Sequence, residues 1–464
     1  MTDVRHVDVL VLGSGPAGQK AAIQAAKAGR STVMIEREIG VGGACVHRGT
    51  IPSKTLRESA SELSRLRRSA DLLAAELRPG TEVASLMTRL DQVVGAHVGY
   101  IGRQMDRNGV QLVHGRARFV DARTLAVSGV RGGEARFSAD VIVIATGSRP
   151  RNPPEIAIDH ENILDSDSIL SMLYLPASLT VLGGGVIASE YASIFAALGV
   201  KVTMIDKADR PLKFMDAELT AKFVEAFGHA GGTYLGEQTI AGARFDGVTQ
   251  VVTTLANGAV VSSDKMLVAL GRAANLDGLD LAAAGLAATP RGLLQVDEHC
   301  RTPVSGIYAV GDVIGPPSLA ATAMEQGRRA VCHALGLPPG QTSDLIPIGI
   351  YTIPEMASIG LGEDEATRRF GGCVAGRARF DEVARGQISG ITDGLLKLIA
   401  DPSGHKVLGV HIVGEGATEL VHVGQMAMLG ALPVDGFVEN IFNFPTLAEA
   451  YRVAALDLTQ KRRR

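Results

Sequence analysis

The stretch VDVLVLGSGPAGQKAAIQAAKAGRSTVMIE, Val7–Glu36, decides the fold. It reads as an apolar strand, a glycine-rich turn, an alanine-rich helix, a second strand and a terminal acid. A second stretch, LTVLGGGVIASEYASIFAALGVKVTMID, Leu179–Asp206, repeats that order. Gly13, Gly15 and Gly18 mark the first turn, and Gly183, Gly185 and Ala188 the second. Glu36 follows Gly13 by 23 residues, and Asp206 follows Gly183 by 23. Each copy has the logic of a dinucleotide-binding βαβ unit. The first glycine permits the tight turn. The second lets backbone approach a pyrophosphate at a helix N-terminus, and the small third residue lets helix pack on strand. The terminal acid accepts hydrogen bonds from ribose hydroxyls. One such pattern is weak evidence; two in the same register are strong.

Other landmarks fall into place around the repeat. VIVIATGSRP (141–150) and MLVALGRAAN (266–275) read as the returning strands of the two nucleotide domains. GIYAVGDVIG (306–315) reads as a strand that delivers Asp312 into a turn. Residues 55–110 carry long amphipathic helical patterns. From about Leu345 strands and helices continue without any nucleotide fingerprint, as in an α+β association module. The expected fold is therefore α/β, with two Rossmann-like domains and a C-terminal α+β dimerisation domain. The expected borders are 1–150 with 273–343 for the first nucleotide domain, 151–272 for the second, and 344–464 for the last.

The 464 residues carry a net charge of −3 with both signs interspersed, which points away from nucleic acid. The C-terminal QKRRR reads as a frayed, solvated end. The N-terminus enters a strand at once, with no signal-peptide pattern, and no apolar run reaches the roughly 18 residues of a membrane span. A cytoplasmic protein is expected. Cys45, Cys300, Cys332 and Cys373 are scattered without CxxC spacing, so neither a metal site nor a disulfide framework is expected.

GSGPAG, GGACVHRGTIPSK (42–54), ATGSRP, GGGVIASE, YAVGD and PTLAEA together resemble the flavoprotein disulfide reductases, the family of dihydrolipoamide dehydrogenase and glutathione reductase. The resemblance spans the chain. It implies FAD in the first βαβ unit, NAD(H) or NADP(H) in the second, and a homodimer or higher homo-oligomer. It also implies that Gly42, Gly43, Ala44, Cys45, Gly49, Thr50, Gly115, Thr146, Gly147, Gly311, Asp312 and Ala320 border the FAD, and that Gly271 borders the nicotinamide nucleotide. Lys54 is implied to lie near the flavin N5 and to pair with Glu190 at the nicotinamide end; these two are the expected catalytic residues.

Two positions depart from that family. Its redox-active pair needs a cysteine at position 50, where Thr50 stands. Its acid–base histidine belongs at position 444, where Phe444 stands beside Pro445, a bond often cis in the family. Both chemical partners of thiol chemistry are thus replaced. GTIPSK, DSDSIL, GDVIG, ATAMEQGR and FNFPTLAEAYRVAALD resemble instead the soluble, Si-specific pyridine nucleotide transhydrogenases within the same superfamily. The expectation is ping-pong hydride exchange between NADPH/NADP⁺ and NADH/NAD⁺ by way of flavin N5. The alternative is an NAD(P)H-dependent diaphorase that passes electrons to a quinone or another acceptor. Asp206 is expected to hold an unphosphorylated ribose, while Lys207 or Arg210 helps a 2′-phosphate. Cys45 reads as a small packing residue beside the flavin, with a lone reactive thiol as the other possibility. His47 is expected to point away from it.

Overall fold

The structure is a computed structural model that describes residues 4–73, 83–130, 132–341, 343–391 and 393–462. The chain divides into two compact units. One comprises residues 1–55, 84–151 and 271–341, and the other 56–83, 152–270 and 342–464.

In the first unit, five strands form a parallel sheet. Their spatial order is Gln111–Phe119, Thr32–Glu36, Val4–Leu12, Glu134–Ile144 and Ile307–Ala309. Thr124–Gly129 pairs antiparallel with the far ends of the two long strands, Gln111–Phe119 and Glu134–Ile144. The fingerprint strand Val4–Leu12 is central, and Val9 to Leu12 are buried on both faces, as a parallel sheet covered on both sides requires. Helix Pro16–Lys27 starts with Pro at its first turn and buries Ala17, Ala21, Ala22 and Ala25. These small side chains are what let the helix lie close on the sheet. The 141–150 stretch supplies the strand beside Val4–Leu12, as expected, and Ser148–Pro150 pairs antiparallel with Arg272–Ala274.

In the second unit, the repeat builds another parallel sheet. Its order is Thr233–Leu235, Lys201–Ile205, Ser178–Leu182, Lys265–Val268 and Ile163–Asp165. Helix Val186–Ala197 follows the second fingerprint turn and is buried along most of its length. The C-terminal segment forms an antiparallel sheet ordered Ile348–Ile350, Met356–Gly360, Val407–Val413, Leu395–Ala400 and Val374–Arg379. Helices Ala417–Leu429 and Glu449–Arg462 bury Val421, Tyr451, Ala454 and Leu458 in that sheet's core.

The amphipathic region forms helices Thr50–Leu73 and Val83–Arg107; its stretch 74–82 lies outside the described residues. One expectation is corrected. The basic C-terminus is helical through Arg462, whose guanidinium grips Asp435 at 2.8 Å, and Lys461 pairs with Asp457 at 2.7 Å. Asp435 on helix Val434–Glu439 and Asp457 one turn back on the same helix hold these side chains; residues 463 and 464 lie outside the described set. The Phe444–Pro445 bond is cis. Among the described residues, no helix is long and apolar enough to cross a membrane.

Candidate functional site

The two fingerprint turns have nearly the same backbone. Gly13 and Gly183 take φ of +100° and +114°, a region where side chains are strained. A Cβ on Gly13 would stand 2.5 Å from the Ala145 oxygen, and one on Gly183 2.6 Å from the Ala269 oxygen. Both glycines are thus required by the chain itself. Gly15 and Gly185 are different. Their φ values are −66° and −82°, and an added Cβ would meet no protein atom within 4 Å. Each stands at the mouth of a 12-residue helix that has no side-chain cap. The protein itself gives no reason for glycine there, whereas a close-lying anion would, and the helix N-terminus supplies donors and a favourable dipole for one. The third positions differ in size: a Cβ at Gly18 would collide with the Gly13 oxygen, while Ala188 is accommodated and fully buried. These two cradles fit dinucleotide pyrophosphates.

The two terminal acids are held differently. Glu36 is buried; its Oε2 accepts from Ser14 N at 2.8 Å and Ser14 Oγ at 2.6 Å, and its Oε1 accepts from Glu38 N at 2.9 Å. Asp206 is half-buried and accepts from Ala208 N at 2.7 Å. Lys207 is exposed. Arg210 is not free for a phosphate in this arrangement. Its guanidinium donates to Lys213 O (3.0 Å), Met215 O (3.1 Å) and Thr220 Oγ1 (2.9 Å), closing its own loop.

In the first unit, Gly42 and Gly43 adopt positive φ and bring the 40–45 loop onto Gly15; a Cβ on Gly43 would lie 2.8 Å from Gly15 Cα. Ala44, Cys45 and Gly49 follow on the short helix Gly43–His47 and its exit turn. Burial pushes the Cys45 thiol above its ordinary range, although a hydrogen bond from the Thr50 side chain and the Lys54 charge pull the other way. All four cysteines are free. His47 Nε2 lies 2.9 Å from the Val41 oxygen. Lys54 is half-buried, with Nζ 3.4 Å from Ser53 Oγ.

Asp312 opens the turn Gly311–Ile314, and its carboxylate accepts from Ser148 Oγ. Ser148 in turn takes Arg272 Nε at 2.7 Å on Oγ and the same guanidinium at 2.8 Å on its carbonyl. Thr146 and Gly147 are laced to Asn275 by Thr146 Oγ1 to Asn275 O (2.8 Å) and Asn275 N to Gly147 O (2.9 Å). Gly115 lies in the sheet, where a Cβ would strike Ser128 O at 2.6 Å, so packing alone accounts for it. Ala320 begins helix Ala320–Ala334. Gly271 has φ +99° with open space around it.

In the second unit, Glu190 is 4% exposed and its Oε1 accepts from Tyr351 N at 2.9 Å. Ser193 Oγ, bonded to the Glu190 carbonyl, also accepts from Ile353 N at 3.1 Å. The same C-terminal segment carries Glu355, which pairs with Arg57 at 2.9 Å and accepts from Thr418 Oγ1 at 2.8 Å. Tyr351, Glu355, Arg57 and the Ser148–Arg272 link escaped the sequence reading. No spacing rule connects positions about 120, 160 or 300 residues apart.

Two nucleotide cradles, one per repeat, with a lone thiol beside the first, define a flavoprotein oxidoreductase that works with nicotinamide nucleotides. Residues 7–327 match the pyridine nucleotide-disulphide oxidoreductase family and residues 346–455 its dimerisation domain. The chain belongs to this family, which is FAD-dependent and uses NAD(P)H. It is 44% identical over 465 residues to the soluble pyridine nucleotide transhydrogenase of Mycobacterium bovis (strain BCG / Pasteur 1173P2), covering 99% of this chain and 98% of that one. The protein of the same name from Vibrio vulnificus (strain YJ016) is 41% identical, covering 98% of this chain and 99% of the other. Among solved structures, LpdA from Mycobacterium tuberculosis superposes with a TM-score of 0.90 at 28% identity, covering 98% and 99% of the two chains. The flavoprotein disulfide reductase RclA from Escherichia coli gives 0.87 at 25%, covering 97% and 99%.

Proposed function

We propose that this chain is a homodimeric, FAD-dependent, Si-specific soluble pyridine nucleotide transhydrogenase. It exchanges hydride between NADPH/NADP⁺ and NADH/NAD⁺ in ping-pong order, without a redox-active disulfide. The observation that carries this reading is Thr50 at the position where a second thiol would have to stand, with all four cysteines free. The names of the relatives at 41–44% identity support it. Residues 1–150 and 273–343 hold FAD, 151–272 hold the nicotinamide nucleotide, and 344–464 associate.

FAD, when bound, supplies the hydride acceptor and donor at N5. Gly15 leaves room for its pyrophosphate, Gly13 and Gly18 shape the turn and the helix contact around it, and Glu36 takes the ribose. Gly42, Gly43, Ala44, Cys45, Gly49 and Thr50 let backbone approach the flavin, with Gly115, Thr146, Gly147, Gly311, Asp312 and Ala320 completing the border. Lys54 places a positive charge at the reacting end of the flavin, a preorganised electrostatic stabilisation, and Glu190 serves the nicotinamide nucleotide. Gly183, Gly185, Ala188 and Gly271 seat either nicotinamide nucleotide in turn. Asp206 orients the ribose, and the exposed Lys207, rather than the engaged Arg210, meets a 2′-phosphate.

Anaerobic stopped-flow tests the reading. NADPH is expected to bleach the flavin absorbance and NAD⁺ to restore it, in Cys45→Ser as in the parent. Bleaching abolished by Cys45→Ser, or bleaching that a quinone reverses and NAD⁺ does not, overturns it.

A further inference from the structure

The two fingerprints of this chain act as controls for each other, and they differ at the residue after the first glycine. In the first copy it is Ser14, fully buried. It donates from both N and Oγ to Glu36 Oε2, and its Oγ accepts from Gly42 N at 3.0 Å. One hydroxyl thereby joins the terminal acid to the loop that leads to Cys45. In the second copy the residue is Gly184, where a Cβ would lie a tight 3.1 Å from Asp206 Cγ and no hydroxyl is present to make a comparable clasp. Among the described residues, no side-chain donor holds Asp206.

We propose that Ser14 is a positioning residue that makes the first cradle a site for a resident nucleotide, by fixing the ribose-binding acid before the nucleotide arrives. A carboxylate offers roughly four acceptor positions. Ser14 and Glu38 fill three on Glu36, so the remaining one, on Oε1, has a fixed direction for a ribose hydroxyl. Orientation that is already fixed lowers the ordering cost of binding and shows up mainly as a slower off-rate. Asp206 has one backbone donor and partial exposure, which suits a nucleotide that must leave at each half-turnover. The inference rests on the assignment of Glu36 to the FAD ribose.

The test follows flavin fluorescence as FAD leaves the holoenzyme, in the parent and in Ser14→Ala, each filled with FAD or with its 2′-deoxyadenosine analogue. A hydrogen bond to a charged group is worth about tenfold in a dissociation rate. The analogue is expected to leave the parent about tenfold faster than FAD does. In Ser14→Ala, FAD itself is expected to leave about tenfold faster, and the analogue only about twofold faster than FAD. Ser14→Thr, which keeps the hydroxyl, restores slow release. An undiminished analogue penalty in Ser14→Ala, or unchanged FAD release, overturns the proposal. Equal release of FAD and analogue from the parent overturns the Glu36–ribose assignment and the proposal with it. If Ser14→Ala fails to fold, Ser14→Gly, which copies the second cradle, takes its place with the same expected outcomes.

Discussion

Lys207 and Arg210 lie three residues apart on one loop, yet only one of them has its charge to spare. Arg210 has spent its guanidinium on Lys213 O, Met215 O and Thr220 Oγ1, whereas Lys207 is exposed. Removing an exposed cation from a phosphate contact costs about 1 kcal/mol, or roughly fivefold. Lys207→Ala is therefore expected to raise the KM for NADPH about fivefold and leave that for NADH unchanged. Arg210→Ala releases three acceptors and the loop shape with them, so it is expected to raise both. Steady-state kinetics with each nucleotide checks the split; an NADPH-only effect in Arg210→Ala reverses the assignment. The sequence offered both cations equally, because it counts charges near an acid and cannot tell which are already engaged. It was more informative where a residue type was exchanged outright, as at Thr50 and Phe444, since a missing thiol or imidazole is visible without coordinates.

The βαβ elements were legible because all their determinants lie within 30 residues: a glycine turn, a small-residue helix face and an acid at fixed distance. The element that ties helix Ala217–His229 to the C-terminal sheet was not. Lys397, its side chain 4% exposed, meets Asp216 at 2.8 Å, Glu363 at 2.7 Å and Glu218 at 3.3 Å, while Arg377 meets Glu218 at 2.9 Å and Glu363 at 3.2 Å. These five residues come from four separated segments, and each alone looks like a surface charge. Asp216 also caps its helix, accepting from Glu218 N at 3.0 Å. Burial raises the Asp216 and Glu363 pKa values, but hydrogen bonds and charge from Lys397 outweigh it and hold both below the ordinary range. Burial lowers that of Lys397, and the two carboxylates outweigh it and raise it above 10.5. The depressed carboxylates stabilise the fold above about pH 4, and that share is lost as pH falls through their folded values. The raised lysine stabilises it below about pH 10.5, and its share is lost as pH rises further. Lys397→Met strands the buried Asp216 carboxylate, while Arg377 still holds Glu218 and Glu363, and is expected to cost about 3 kcal/mol. In urea unfolding, the gap between parent and variant should be flat from about pH 5 to pH 10 and shrink on either side. A gap that grows in acid contradicts this pairing.

At the scale of the whole molecule, assembly is the property that a single chain displays least directly. Helix Ala417–Leu429 buries Ala417, Val421, Gly424 and Ala427 in its own sheet, which accounts for one face. Val423, Met426 and Leu429 project from the other and are exposed, Met426 to 59%. Further along, Ile441 is 97% and Phe444 69% exposed. Apolar residues this large, this exposed and this concentrated in one segment mark a contact surface. They fall within the part of the chain that matches the family's dimerisation domain. In a twofold dimer each such residue is buried twice, so a charge placed there is felt twice. Met426→Glu with Leu429→Glu is accordingly expected to shift the protein from dimer to monomer at micromolar concentration. Because neither side chain belongs to the subunit's own core, the far-ultraviolet circular dichroism should stay as it was. Light scattering on a sizing column reads the mass; an unchanged dimer mass would place the association surface elsewhere. Phe444→Asp separates the two parts of this surface. If the loop around the cis bond belongs to the same interface, it weakens the dimer too, and if only the helix face pairs, the mass stays that of a dimer.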